Sequence, residues 1–292
     1  MTPRCDYELL DFGNGRKLER FGEYVLDRPA PQALDQPLSS AAWQLADARF
    51  ECEASGQGGK WTGRLSDATI WSLDCDSLKF QLKLTPFGQV GLFPEQATIW
   101  QWLRQVSRAN GDSKLKVLNL FAYTGGSTLA AAQAGAEVVH VDASRTAVTW
   151  ARRNAQGSNL STAPIRWIVD DALAFVRREV RRGTRYDGLI LDPPSFGRGT
   201  RGQVWSIEKN FDELLECCAV LVDNRPKFLV VTCHTTGWSP AQLAQRIQIQ
   251  KHMQPHGDQR LEYDWLQLSA GRILRSGMFG RWADGDASSR EP

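Results

Sequence analysis

Asp192 stands at the end of the apolar run LILDPP, with Pro193 and Pro194 directly behind it. Two prolines cannot continue a β-ladder, so they stop the strand and leave the acid at its carboxyl edge, where open α/β sheets bind ligands. A second acid, Asp142, closes the apolar run EVVHVD, seventeen residues beyond Gly125 in the turn AYTGGS. Glycine at a strand-to-helix turn admits backbone dihedrals that other residues avoid and lets a ligand approach the main chain. An acid at the tip of the following strand can hold a ribose diol. Thr124, Gly125, Gly126 and Asp142 are therefore a candidate nucleoside-binding set, although Asp142 could also cap the helix that begins near Ser144. The loop after Asp192 reads GRGTRG and carries Arg198 and Arg201 among glycines. Arginine pairs with phosphate oxygens in a planar fork, so the pair suits phosphate contacts, and a solvated flexible loop is the plain alternative.

These residues need a frame of alternating strands and helices. From Ser113 onward the chain supplies one: KVLNLF, a helix over Ser127 to Ala134, EVVHVD, a helix over Arg145 to Gln156, IRWIV, a helix over Ala172 to Arg181, and YDGLILD. A helix over Glu208 to Val222, the strand KFLVVTC, a helix over Ala241 to Lys251 and two closing strands, Leu261 to Leu268 and Gly277 to Arg281, complete it. The alternation predicts a mostly parallel sheet with helices on both faces. Before it, YELLDF, KLERFGEYVL, ATIWSLDC and LKFQLKL are short alternating runs separated by GNG, RPAPQ and SGQGG, which are β signals. The expected organisation is an N-terminal β-rich domain over 1–93, an α/β domain over 94–282 and a polar tail over 283–292.

Composition narrows the classes. The chain has 292 residues, 42% hydrophobic and 23% charged, enough to bury a full core. A net charge of +2 provides no basic tail, so any nucleic-acid contact must be local. Cys5, Cys52, Cys75, Cys217, Cys218 and Cys233 form no CxxC pair, and His140, His234, His252 and His256 fit no zinc spacing. Reduced thiols in a cytoplasm and no structural metal are the expectation. No apolar stretch approaches the length of a membrane span and the first thirty residues do not read as a signal peptide. Nothing in the sequence sets an oligomeric state.

Taken together, LNLFAYTGGS, VDAS, VDDALAF, DPPSFGRG, GRILRSGMFGRW and the upstream marker GLFPEQ resemble class I S-adenosylmethionine-dependent methyltransferases. The closer resemblance is to the bacterial family that includes the large-subunit ribosomal RNA cytosine-C5 methyltransferases, and it covers residues 85 to 282. It implies a Rossmann-like core with a seven-stranded sheet whose last strands are antiparallel. S-adenosyl-L-methionine is the implied cofactor, and a base in ribosomal or other structured RNA, with cytosine C5 the favoured acceptor, the implied substrate. By the same resemblance Asp171 faces the adenine amino group, unless it caps the next helix. Asp192, with Pro193 and Pro194 shaping its turn, accepts hydrogen bonds from the polar edge of the target base and aligns it. Phe196 either stacks on that base or packs. Cys233, at the tip of KFLVVTC, is the implied nucleophile for carbon 6 of a pyrimidine, with His234 favouring the thiolate if it is protonated and turned toward the sulfur. A small buried core residue is the competing reading of Cys233.

Three other functions compete. Transfer to an exocyclic nitrogen also uses an acid before Pro-Pro and an aromatic, but here the aromatic comes one position late, behind Ser195. A dinucleotide oxidoreductase would need a G-x-G-x-x-G turn, which is missing. A non-catalytic RNA-binding protein that retains the cofactor fold would bind RNA without incorporating methyl.

Overall fold

The computed structural model describes residues 4–53, 58–108, 114–199, 202–222, 226–250, 253–255 and 260–284. The chain divides into two compact units, Met1–Thr98 with Gln267–Ser276, and Ile99–Leu266 with Gly277–Pro292. Among the described residues no helix is long and apolar enough to cross a membrane.

In the first unit β1 (Tyr7–Gly13), β2 (Arg16–Phe21), β3 (Tyr24–Pro29), β4 (Ala48–Cys52) and β5 (Gly59–Gly63) form a five-stranded sheet in chain order. The pairing is antiparallel except between β3 and β4, which are joined through a connection that holds the one-turn helix α1 (Ser40–Trp43). A separate hairpin joins β6 (Ile70–Cys75) to β7 (Leu78–Lys83). Alternation of apolar residues in these short runs is what makes them strands, and the β-rich unit expected from the sequence is present. One expectation fails here. Cys5 and Cys75 are disulfide-bonded across 70 positions, not reduced, because an isolated antiparallel bridge sets them side by side.

The far end of the chain contributes to this unit. Leu268 and Leu274 pack in one apolar cluster with Leu9, Phe12, Ala30 and Ala33. Arg272 donates to Asp11 Oδ1 at 3.0 Å and to the Phe12 carbonyl at 2.7 Å, and its guanidinium lies 4.2 Å from the Phe12 ring centre. Asp11 is buried and also accepts from the backbone of Phe12 (2.8 Å), Leu38 (2.9 Å) and Ser39 (3.2 Å) and from the Trp43 indole (2.9 Å).

The second unit opens on α2 (Ala97–Arg108), preceded by a short 3-10 turn at Pro94–Gln96. Its strands are β8 (Lys116–Leu120), β9 (Glu137–Asp142), β10 (Ile165–Val169), β11 (Gly188–Leu191), β12 (Phe196–Arg198), β13 (Val204–Ser206), β14 (Phe228–Cys233), β15 (Glu262–Ser269) and β16 (Ile273–Ala283). Its further helices are α3 (Gly126–Gln133), α4 (Arg145–Gly157), α5 (Ala172–Arg181), α6 (Ile207–Leu221) and α7 (Pro240–Ile249). Seven strands make one sheet in the order β10-β9-β8-β11-β14-β16-β15. The first five run parallel and β16 runs antiparallel to β14. This is the Rossmann-like architecture that the alternating pattern implies. One face of the sheet is a continuous apolar layer, in which Leu118, Leu120, Leu189, Leu191, Leu229 and Val231 meet Phe175 of α5 and Phe211 and Leu214 of α6.

Local chemistry sets the helix starts. Ser144 caps α4 by accepting from Ala147 N at 3.1 Å, and Asp171 caps α5 by accepting from Ala174 N at 2.8 Å. Ser239 and Gln242 close a capping box on α7, with Pro240 at its first position, one residue ahead of the expected start. Lys251, at that helix's expected end, lies outside the described residues. Of the expected tail, Ala283 still belongs to β16, and Asp284 donates its backbone N–H to Lys227 and pairs with its ammonium at 3.0 Å. Residues 285–292 lie outside the described residues.

Asp11 carries a pH signature. Burial by itself raises its pKa, but the hydrogen bonds from Trp43, Leu38, Ser39 and Phe12 outweigh this and hold the carboxyl below its ordinary value. A carboxylate whose pKa is lower folded than unfolded contributes stability that is fully present above the unfolded value of about 3.9 and is lost as pH falls from there through the folded value. We expect Asp11→Asn to cost about 1–3 kcal/mol near neutral pH and to be less acid-sensitive than the wild type below about pH 4. Urea denaturation at both pH values measures this, and parallel stability–pH curves for the two proteins would rule it out.

Candidate functional site

The order of the parallel strands reverses between β8 and β11, whose neighbours lie on opposite sides of the pair. At such a switch point the two connecting chains leave the sheet in opposite directions and open a crevice at the carboxyl ends. The glycine turn follows β8 and Asp192 follows β11. The two are tied directly, since Asp192 N donates to Leu120 O at 3.3 Å.

The turn is a strained piece of backbone. Phe121 and Tyr123 hold left-handed φ values of 57° and 48°, and Gly125 follows at 93°. Non-glycine residues adopt this region only when their surroundings enforce it, at about 1–3 kcal/mol each. The surroundings are specific: Ala122 N donates to Val141 O at 3.1 Å, Tyr123 N to Asp142 Oδ2 at 2.8 Å, and the Asn154 amide to Thr124 O at 2.9 Å. A Cβ at Gly126 would lie 2.4 Å from the Trp100 ring, so only glycine lets α3 begin there. Beneath the turn, Asn119 donates to Thr128 Oγ1 at 2.8 Å, and this hydroxyl is 2.9 Å from His140 Nδ1. All three are buried, and burial pushes the imidazole pKa down to about 3, so His140 is neutral.

Asp142 accepts one backbone N–H on each oxygen, from Tyr123 and from Ser144, the latter at 2.7 Å. The cap of α4 is Ser144, not Asp142. Burial raises the Asp142 pKa, and the two N–H donors oppose that rise without cancelling it. Each oxygen keeps a lone pair suited to a hydroxyl of a diol. Asp171 does serve as a cap through Oδ1; its Oδ2 has no hydrogen-bond partner among the described residues, although the residue is only 9% exposed. A carboxylate oxygen with an open acceptor position suits an amino group such as that of adenine. A Cβ at Gly199 would approach this Oδ2 to 3.1 Å, so the chain passes closely over it. Two acids at successive strand tips beside a glycine turn fit S-adenosylmethionine.

Asp192 Oδ1 accepts from the Thr232 hydroxyl at 2.6 Å and lies 3.8 Å from His234 Nε2. Pro193 is buried while Pro194 and Ser195 are exposed. The segment read as a loop is a hairpin of β12 and β13, with Gly197 opposite Trp205 and Arg198 opposite Val204. The Trp205 indole anchors it by donating to Pro194 O at 2.7 Å and by packing on Phe121 at 4.8 Å. The opposite face shows Phe196, 59% exposed, with Arg198 and Val204. Phe196 therefore does not pack in the core. Arg201 lies outside the described residues.

The residue that holds Asp192 is Thr232, not Cys233. Cys233 is fully buried in the apolar layer with Leu229 and Val231, while Thr232, pointing to the other face, reaches Asp192. Burial pushes the Cys233 thiol up, only partly offset by the Thr235 N–H donated to Sγ at 3.5 Å. His234, the expected partner of that thiol, has its Nε2 3.8 Å from Asp192 Oδ1. Sequence reading missed Asn154, Thr128, Asn119, His140 and Thr232. A signal existed for Asn154, which falls on the apolar face of α4 with Ala147, Ala151 and Ala155.

Comparison with known proteins agrees with this fold and with the cofactor class. A family model described as S-adenosylmethionine-dependent methyltransferase matches residues 34–224. The ribosomal RNA large subunit methyltransferase K/L of Shewanella sp. (strain ANA-3) is 33% identical over 136 residues, 46% of this chain and 18% of that protein. The ribosomal RNA large subunit methyltransferase I of Aeromonas salmonicida (strain A449) is 41% identical over 85 residues, 29% of this chain and 22% of that one. The chain thus spans about a fifth of the length of these curated relatives. A crystal structure of an S-adenosylmethionine-dependent methyltransferase from Agrobacterium tumefaciens superposes with a TM-score of 0.88 at 39% identity, covering 96% of this chain and 91% of that one. With a family model across most of its length and the fold of a solved methyltransferase, the chain belongs to the S-adenosylmethionine-dependent methyltransferases.

Proposed function

We propose that the enzyme methylates a base in ribosomal RNA, and that Asp192 aligns the base. The observation that carries this reading is the carboxylate beside the cofactor turn at the switch point, fixed by Thr232 and flanked by the exposed Phe196 and Arg198. The names of the large-subunit ribosomal RNA methyltransferases among the relatives support the same substrate class. S-adenosylmethionine supplies a methyl group on a sulfonium, which is intrinsically reactive, so alignment and exclusion of water are what the protein adds. Asp142 would hold the ribose diol and Asp171 the adenine amino group, with Thr124, Gly125 and Gly126 lining the approach. Phe196 offers a stacking face for a base and Arg198 a phosphate contact. A ribosomal substrate implies work in the cytoplasm.

The acceptor atom turns on Cys233. Covalent activation of a pyrimidine needs an accessible thiolate. A buried thiol with a raised pKa on the other face of the sheet favours transfer to a nitrogen directed by Asp192, and Cys233 then serves the core. The deciding experiment is mass spectrometry of ribosomal RNA nucleosides from a strain lacking the gene and from its parent. Loss of one methylated base gives substrate and atom together; identical profiles would sink the ribosomal reading.

Three variants test the roles. Asp142→Ala should weaken S-adenosylhomocysteine binding by about 1.5–3 kcal/mol in a calorimetric titration, and normal affinity would remove the ribose assignment. Cys233→Ala should restore the missing methylated base when expressed in the deletion strain; a folded variant that restores none would reinstate the covalent route. Arg198→Ala should lower the salt slope of RNA binding by about one, and an unchanged slope would take the hairpin off the RNA surface.

A further inference from the structure

Asp192 has a companion at the sheet edge whose function the reading above leaves open. His234 Nε2 lies 3.8 Å from Asp192 Oδ1, and both side chains are 31% exposed, so neither is sealed in the core. The Thr232 hydroxyl, bonded to that same Oδ1 at 2.6 Å, fixes the rotation of the carboxylate. Gly277 makes room for the imidazole: a Cβ there would come within 2.7 Å of Nδ1 and 3.2 Å of the Cys233 carbonyl oxygen. Gly277 has no left-handed φ that would otherwise call for glycine.

A carboxylate only accepts hydrogen bonds, whereas a neutral imidazole with its proton on Nε2 donates one there. His234 can donate from Nε2 whenever that nitrogen carries its proton. The edge therefore presents an acceptor and a donor side by side. Nucleobase edges present the complementary pair, such as an amino group beside a ring nitrogen or a ring N–H beside a carbonyl, and an unstacked base in RNA is read along those edges. We infer that His234 is a second contact to the target base, forming with Asp192 an acceptor–donor fork that fixes the rotation of the base in its own plane. The inference rests on the RNA-base reading above. His234 is in this account a positioning residue: it donates to the base and moves no proton.

The fork is tested with tritiated S-adenosylmethionine and ribosomal RNA purified from the deletion strain. His234→Leu removes the donor and keeps the bulk, and His234→Gln carries an amide nitrogen to about the place of Nε2. The Leu variant should lose about tenfold or more in kcat/KM for the RNA while binding S-adenosylhomocysteine like the wild type. The Gln variant should recover to within about threefold of wild type, the rescue expected when a donor and not the ring is what matters. Wild-type kcat/KM in the Leu variant overturns the inference, and so does equal impairment of both variants, which marks a packing role. If the wild type itself labels no ribosomal RNA, the RNA reading fails and the fork with it, a result distinct from the other two.

Discussion

The reversal of strand order between β8 and β11 is the constraint on which the site depends. Because these two strands are neighbours, the turn that follows one and the acid that follows the other emerge at the same edge, 3.3 Å apart in backbone hydrogen bonding. Every other strand tip is then placed by counting outward. β9 and β10 bring Asp142 and Asp171 to one side of the turn, and β14 brings Thr232 and His234 to the side of Asp192. The apolar layer beneath makes that order rigid, since close-packed side chains transmit displacement instead of absorbing it.

Rigidity matters because the turn holds two non-glycine residues in left-handed backbone. Its conformation is over-determined by groups that come from four different elements: Asp142 from β9, Asn154 from α4, and the Asn119–Thr128–His140 cluster that joins β8, α3 and β9. The cluster is bonded through the Asn119 amide, the Thr128 hydroxyl and His140 Nδ1, while the buried His140 Nε2 has no hydrogen-bond partner among the described residues. Here its effect is to fix the register of the helix start against two strands. Asp142 does double duty in this scheme, gripping the turn through one oxygen and the start of α4 through the other.

Most of this frame could be read from the sequence. Apolar runs ending in Asp142 and Asp192, and Gly125-Gly126 between strand and helix, are local signals, and local signals survive folding unchanged. What stayed hidden was everything that depends on which side chains face each other. Cys233 and Thr232 are adjacent in sequence, but a strand sends them to opposite faces, so the reactive-looking residue is in the core and the plain one reaches the site. The hairpin after Asp192 was hidden because its glycines suggested mobility, while its anchor, Trp205 on Pro194 and Phe121, is a tertiary contact. The Cys5–Cys75 pair was hidden by its separation of 70 positions, which leaves no spacing motif.

The grip of Arg272 on Asp11 spans 261 positions of chain. A ribosome releases the residues of β1 long before Leu268, Arg272 and Leu274, which complete the cluster around Leu9 and Phe12 and follow nearly all of the second unit. During that interval the nascent chain carries Asp11 without its counter-ion and Leu9 and Phe12 without part of their apolar cover. Surface of this kind is what chaperones engage and what drives association between unfinished chains. The order of synthesis therefore leaves the apolar cluster of the first unit incomplete until Leu268, Arg272 and Leu274 have been made.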